Sequence, residues 1–200
     1  RGGAGLIITE ITRVNNVHGV GEYDQLSLAD DNVIPSFQKL ADSVHQYGTK
    51  IFAQLHHPGR ESHLVLNPSV KELVSSSPFP SRIAPEPTRA LTIEEIHSLV
   101  KDFADAAVRA QKAGLDGVEI HAGHGYLITQ FLSANDNFRE DEYGGSLENR
   151  MRFLMEIIAA IREACGSEFP ISVRLSSSEF LDGVGIRHGI TLEESIRTAV

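Results

Sequence analysis

Residues 118–126, VEIHAGHGY, open as an apolar strand pattern and close on two histidines and a tyrosine. A strand end needs no histidine for packing. Imidazole and phenol groups crowded where a strand gives way to a loop mark a place that donates hydrogen bonds or protons, because loops held by a rigid scaffold carry such groups. The same arrangement recurs outward along the chain. Leu6, Ile7 and Ile8 form a continuous apolar run bounded by Thr9 and Glu10. Lys50, Ile51, Phe52, Ala53, Gln54, Leu55, His56 and His57 read as a second strand stopped by Pro58 and Gly59, and Ile171, Ser172, Val173, Arg174 and Leu175 as a fourth. Each predicted strand thus carries a polar group near its C-terminal end: Glu10, then Gln54 with His56 and His57, then Glu119 with His121, then Arg174.

Helical patterns lie between these strands. Pro35 suits the first turn of a helix carrying Phe37, Leu40, Ala41 and Val44 on one face, which Gly48 ends. Thr92 with Glu95 is a capping box for a helix repeating Ile96, Val100, Phe103, Ala107 and Ala110. Ser146 opens another, with Leu154, Ile157, Ile158, Ile161 and Cys165 on its apolar face, and Thr191 with Glu194 caps a last one. Residues 15–32 read as a long loop, and residues 61–91, dominated by serine and proline, predict no regular element and a lid or binding loop. Strands alternating with amphipathic helices mean a parallel sheet, doubly wound or barrel. A doubly wound dinucleotide binder calls for GxGxxG after its first strand, and none follows here. Polar residues at several strand ends favour a (β/α)8 TIM barrel, of which this chain supplies about four β/α units.

Composition is that of an ordinary globular domain: 41% hydrophobic and 22% charged residues over 200. A formal net charge of -9 argues against a nucleic-acid partner, and no apolar run approaches a membrane span or the order of a signal peptide. The single cysteine, Cys165, can form no internal disulfide and fits a reducing, cytoplasmic setting, and its place on an apolar helix face makes it core rather than nucleophile.

The stretch GVEIHAGHGYLITQFLSANDNFREDEYGGSLENRMRF resembles the old yellow enzyme family of flavin-dependent ene reductases, in which HxxHGYL, QFLS and DEYGGSxENR follow one another in this order. The resemblance continues through GLIITEIT, KIFAQLHHPGR and PISVRLS, and HHPGR looks most like the branch of 2-enoate reductases and bile-acid-inducible reductases. It implies a TIM barrel with FMN at the C-terminal rim, residues 1–200 being one partial FMN-binding domain of a longer chain. By matching position, Gln54 would bond the flavin pyrimidine edge, Arg174 would sit beside flavin N1, and Ile11 would offer backbone contacts to the ring. His121 and His124 would hold the carbonyl oxygen of an activated alkene, and Tyr126 would deliver a proton. NAD(P)H would be the reductant, and a longer parent would carry a [4Fe-4S] cluster and FAD. The piece alone, without the barrel's usual phosphate-binding loops, is expected to bind FMN weakly and to be inactive.

Duller readings stand beside these. His121 and His124 with His56 or His57 could ligate a metal, which would make the chain a metal-dependent barrel hydrolase or lyase. Arg174 could pair with Glu119 or Glu10, Gln54 could be a satisfied buried amide, and Arg139, Glu140, Asp141, Glu142 and Arg150 read as a solvated or inter-loop charge network. The open edges of half a barrel could also drive assembly into a homo-oligomer.

Overall fold

The structure is a computed structural model and describes residues 2–22, 24–62, 64–66, 72–81, 86–181 and 188–200. Along the chain run strands β1 (Leu6–Arg13) and β2 (Leu26–Ser27), helix α1 (Ile34–His45) and strands β3 (Lys50–His56), β4 (Leu73–Ser75) and β5 (Thr88–Ala90). Then come α2 (Ile93–Lys112), β6 (Gly117–Ala122), α3 (Leu127–Leu132), α4 (Leu147–Cys165), β7 (Ile171–Leu175) and α5 (Leu192–Ala199). The main sheet has the order β2-β1-β3-β6-β7, and every pairing in it is parallel. This is the curved sheet of a TIM barrel carried over part of the circumference.

Alternation along the strands divides the sheet into two faces. Ile51, Ala53, Leu55, Val118, Ile120 and Ala122 point one way and are 0–1% exposed, packed in the core with Ile96, Phe103 and Ala107 of α2 and Phe153, Ile157 and Ile161 of α4. The rings of Phe103 and Phe153 meet edge to face, which locks α2 to α4. The other face carries Gln54, His56, Glu119, His121, Ser172 and Arg174, and the register sets Ile11, Gln54, Glu119 and Ser172 side by side in one layer. His121 and Arg174 pair in the layer above. Gly117 is glycine for a reason on this face: a Cβ there would lie 2.6 Å from the Phe52 ring and 2.7 Å from the Pro170 carbonyl oxygen.

The capping boxes at Thr92 and Thr191 form as expected, and the Ser146 hydroxyl accepts from the Asn149 N–H. Several expectations need correction. Strand β1 does not stop at Thr9 but runs to Arg13, absorbing a register shift between Ile8 and Ile11; there the Thr9 hydroxyl accepts the Gln54 N–H at 3.2 Å and keeps the ladder satisfied. On α1, Phe37 and Ala41 are buried but Leu40 is exposed. The loop at 15–32 contains β2 and a 3-10 turn at Asp31–Val33.

Within 61–91, β4 and β5 form a two-stranded parallel sheet, although residues 63, 67–71 and 82–85 lie outside the described ones. Serines 75, 76 and 77 read as loop residues because they are polar, yet all three are at most 2% exposed and spend their hydroxyls on Gln130, Asp136 and the Phe138 N–H. Helix α3 was hidden for the opposite reason, being only six residues long and wholly buried, with no polar face to give it a period. The charge network at 139–150 is both inter-loop and in part solvated: Glu140 and Glu142 are exposed, whereas Arg150 is not. Arg150 is 5% exposed and bonds the Leu132 and Gly145 carbonyls and Glu194, tying α4 to α5. Cys165 is partly buried against the core, and burial pushes its thiol pKa up, which keeps it an unreactive thiol.

Candidate active site

The end of β6 shows how HxxH becomes a site. On a continuing strand, His121 and His124 would point to opposite faces. The chain turns instead: His124 has φ 61 and Gly125 φ 81, so the His124 ring folds back and its Nδ1 lies 3.3 Å from Nε2 of His121. The Ser176 hydroxyl, at the end of β7, accepts the His124 N–H at 3.1 Å and holds the turn. Tyr126 follows as the N-terminal cap residue of α3, with its ring 5.2 Å from that of His121.

Protonation follows from these contacts. Nδ1 of His121 accepts the Gly123 N–H, so its proton resides on Nε2, which faces His124. Burial, with His124 and Arg174 alongside, pulls the His121 pKa down to about 4, and the imidazole is a neutral donor at pH 7. His121 is buried, Tyr126 half-buried and His124 exposed, so the cluster opens toward solvent on one side.

The three residues anticipated at a cofactor also share the inner face, though not one layer. Ile11 lies within β1, registered against Gln54. Gln54 is nearly buried and donates from Nε2 to Glu119 Oε1 at 2.6 Å. The buried-amide reading therefore holds for the donor end, while Oε1 of Gln54 accepts nothing among the described residues. Arg174 is exposed, stands opposite His121, and forms no ion pair among the described residues, so its pairing with Glu119 or Glu10 is not what the structure contains. An acceptor and a cation left unengaged on one concave face fit a planar polar ring with its own donors and a delocalised negative charge, as a flavin has.

Sequence reasoning missed two features. The strand-end pattern places His56 at the rim and offers it a metal-ligand role, but its ring stands edge to face against Tyr126 at 4.5 Å and lies 5.5 Å from His121. Its Nδ1 is bonded to Gln25 Nε2 at 3.1 Å, and burial lowers its pKa well below the ordinary imidazole value. His57, by contrast, takes the Gly59 N–H on Nδ1 and is pushed down to about 3 by burial. Among the described residues no three His, Cys, Asp or Glu side chains gather as a metal ligand set.

The second feature is the strut beneath the loops. Arg60 of HHPGR is fully buried, donating to Asp136 at 2.6 Å and to Glu61 at 3.1 Å with its guanidinium 5.0 Å from the Phe79 ring centre. Gln130 accepts at Oε1 from Ser75 and the Arg60 N–H and donates to the Pro58 and Gly125 carbonyls. Gly59, at φ 63, is needed there because a Cβ would sit 2.2 Å from Gln130 Oε1. The alternation of apolar and polar residues in KIFAQLHH carried the signal for His56; nothing in the local pattern announced Arg60.

A parallel barrel sheet with its chemistry-bearing residues at the C-terminal strand ends defines the class of TIM-barrel enzymes. The chain belongs to the NADH:flavin oxidoreductase / NADH oxidase family, which it matches over residues 1–191. It is 47% identical over 199 residues to an NADH oxidase of Thermoanaerobacter brockii, covering 100% of this chain and 30% of that one. It is 44% identical over 189 residues to a cinnamate reductase of Clostridium sporogenes, covering 90% of this chain and 28% of that protein. Among solved structures, morphinone reductase superposes with a TM-score of 0.82 at 34% identity, over 92% of this chain and 52% of that one. The chain thus spans about half of the structural relative and under a third of these two sequence relatives. No helix among the described residues is long and apolar enough to cross a membrane.

Proposed function

We propose that residues 1–200 form part of an FMN-binding barrel in an oxidoreductase that reduces the C=C bond of an activated alkene, an enoate, enone or enoyl thioester, with NAD(P)H as the reductant. The observation that carries this reading is the convergence of His121, His124 and Tyr126 one layer above Gln54 and beside Arg174. FMN, when bound, supplies the hydride. Ile11, Gln54 and Arg174 would hold its ring, the guanidinium opposing negative charge on the reduced form.

The chain's own residues do the rest. Negative charge grows on the activating carbonyl oxygen as the β-carbon is reduced, and the imidazole N–H groups of His121 and His124 stabilise it more in the transition state than in the ground state. For His121 the donor is Nε2–H, released from His124 Nδ1 when the carbonyl oxygen takes its place. Because burial keeps His121 neutral, it gives a hydrogen bond without surrendering its proton, and the phenol of Tyr126 is left as the acid for the α-carbon.

The relative named for cinnamate supports an alkene conjugated to a carboxyl group. An iron-sulfur cluster and FAD are proposals for a longer protein alone, since Cys165 is the one cysteine here and such clusters take several thiolates. In the full-length protein, Tyr126→Phe should slow alkene reduction roughly 10²–10⁴-fold, the usual range for a general acid, while flavin reduction by NAD(P)H continues at its normal rate. Stopped-flow measurement of the two half-reactions separates them. Equal loss in both would reject the role of Tyr126.

A further inference from the structure

Glu119 is a carboxylate in the barrel interior that the reaction as derived does not use. It is 6% exposed and lies in the layer of Gln54 and Ser172, below His121. Its two oxygens are spent differently: Oε1 accepts from Gln54 Nε2 at 2.6 Å, a short charge-assisted contact, and Oε2 takes the Ser172 hydroxyl at 3.4 Å, a long one. A buried carboxylate costs free energy unless it is well bonded. A sheet interior could be filled more cheaply by an apolar side chain.

What the carboxylate does, and an apolar residue or an amide could not, is fix the direction of its neighbour. The two ends of a glutamine amide are nearly alike in shape and opposite in hydrogen-bonding sense. A carboxylate oxygen accepts only, so Gln54 must turn Nε2 toward it; the flipped amide would set Oε1 against Oε1 at the same short distance. The Gln54 backbone N–H donates to the Thr9 hydroxyl rather than to its own side-chain oxygen.

We infer that Glu119 is a positioning residue that holds the Gln54 amide in one orientation, so that Oε1 and the second N–H of Gln54 are presented in fixed order to the cofactor ring. This rests on the proposed function, in which Gln54 meets the flavin. The ring edge that fits such an amide has a donor beside an acceptor, as an imide N–H next to its carbonyl. Glu119 acts only through Gln54 and needs no contact with the cofactor.

The test is FMN binding to the full-length apoprotein, read by quenching of flavin fluorescence. Glu119→Gln is isosteric and lets Gln54 adopt either orientation; Glu119→Leu removes the partner. Glu119→Gln should weaken FMN binding about twofold, the factor for a competent orientation that is half populated, and Glu119→Leu, which leaves the amide without its partner, about tenfold, the scale of one hydrogen bond to a charged group. In a Gln54→Leu background the Glu119→Leu change should add less than about twofold, because residues that act as one unit do not add. Unchanged affinity in both Glu119 variants overturns the inference, as does a full second loss in the Gln54→Leu background, which would mean that Glu119 serves the sheet alone. A parent protein that binds no FMN rejects the proposed function itself, and the two failures are therefore told apart.

Discussion

On the helix side of β3 and β6, the side chains of Ile51, Ala53, Leu55, Val118, Ile120 and Ala122 are at most 1% exposed and belong to the hydrophobic core. The opposite face of the same strands carries Gln54, His56, Glu119 and His121, all nearly buried as well. Burial is similar; chemistry is not. On the helix side each side chain is satisfied by being out of water. On the inner face each must find a specific partner: Glu119 of the neighbouring strand for Gln54, His124 of the following turn for His121, and Gln25 of the loop before β2 for His56. A sheet built this way stores its stability on one face and its reactive groups on the other, one residue apart.

Substitutions can break that division. The largest effect on stability should come from Ile120→Ala, which opens a cavity under α2 and α4 and is expected to cost about 2–5 kcal/mol in urea unfolding. His121→Asn, on the next residue and the other face, should cost clearly less. Equal losses would mean that the inner face carries as much of the fold as the helix side.

Acid should act mainly through the histidines. The folded-state values of His56, His57 and His121 are all depressed, His57 to about 3 and His121 to about 4, so between those values and the ordinary 6.5 the unfolded chain binds more protons than the folded one. Stability is therefore complete above about pH 6.5 and falls as the pH drops toward 4, by up to about 1.4 kcal/mol per pH unit for each histidine. Denaturation midpoints measured from pH 7.5 to 4.5 check this; a flat profile would show that these rings are not desolvated. Smallest of all, Thr92→Ala removes the hydroxyl that accepts the Glu95 N–H at the start of α2 and should cost about 1 kcal/mol, measured the same way, with no change at the inner face.

How much of this was legible beforehand depends on whether the signal was local. The strand of Gly117–Ala122, the helix opened by Thr92 and Glu95, and the helix after Ser146 could be read from periodicity and caps, because those signals lie within a few residues of one another. The extension of β1 to Arg13 could not, since it depends on the register against β3. Nor could the buried serines at 75–77, whose polarity reads as solvent exposure until Gln130 and Asp136 arrive from 54 or more residues away.

The candidate site divides in the same way. Sequence alone determined that His121, His124 and Tyr126 stand at a strand end and that Gln54 and Arg174 lie near the C-terminal ends of two other strands of a parallel sheet, because alternation and spacing are properties of the chain itself. Tertiary structure alone decided that His124 turns back onto His121, that His56 packs against Tyr126, and that Glu119 holds Gln54. Hydrogen bonds and ring contacts depend on distance in space, and residues 65 apart in the chain reach 2.6 Å only when the strands between them have been laid in register.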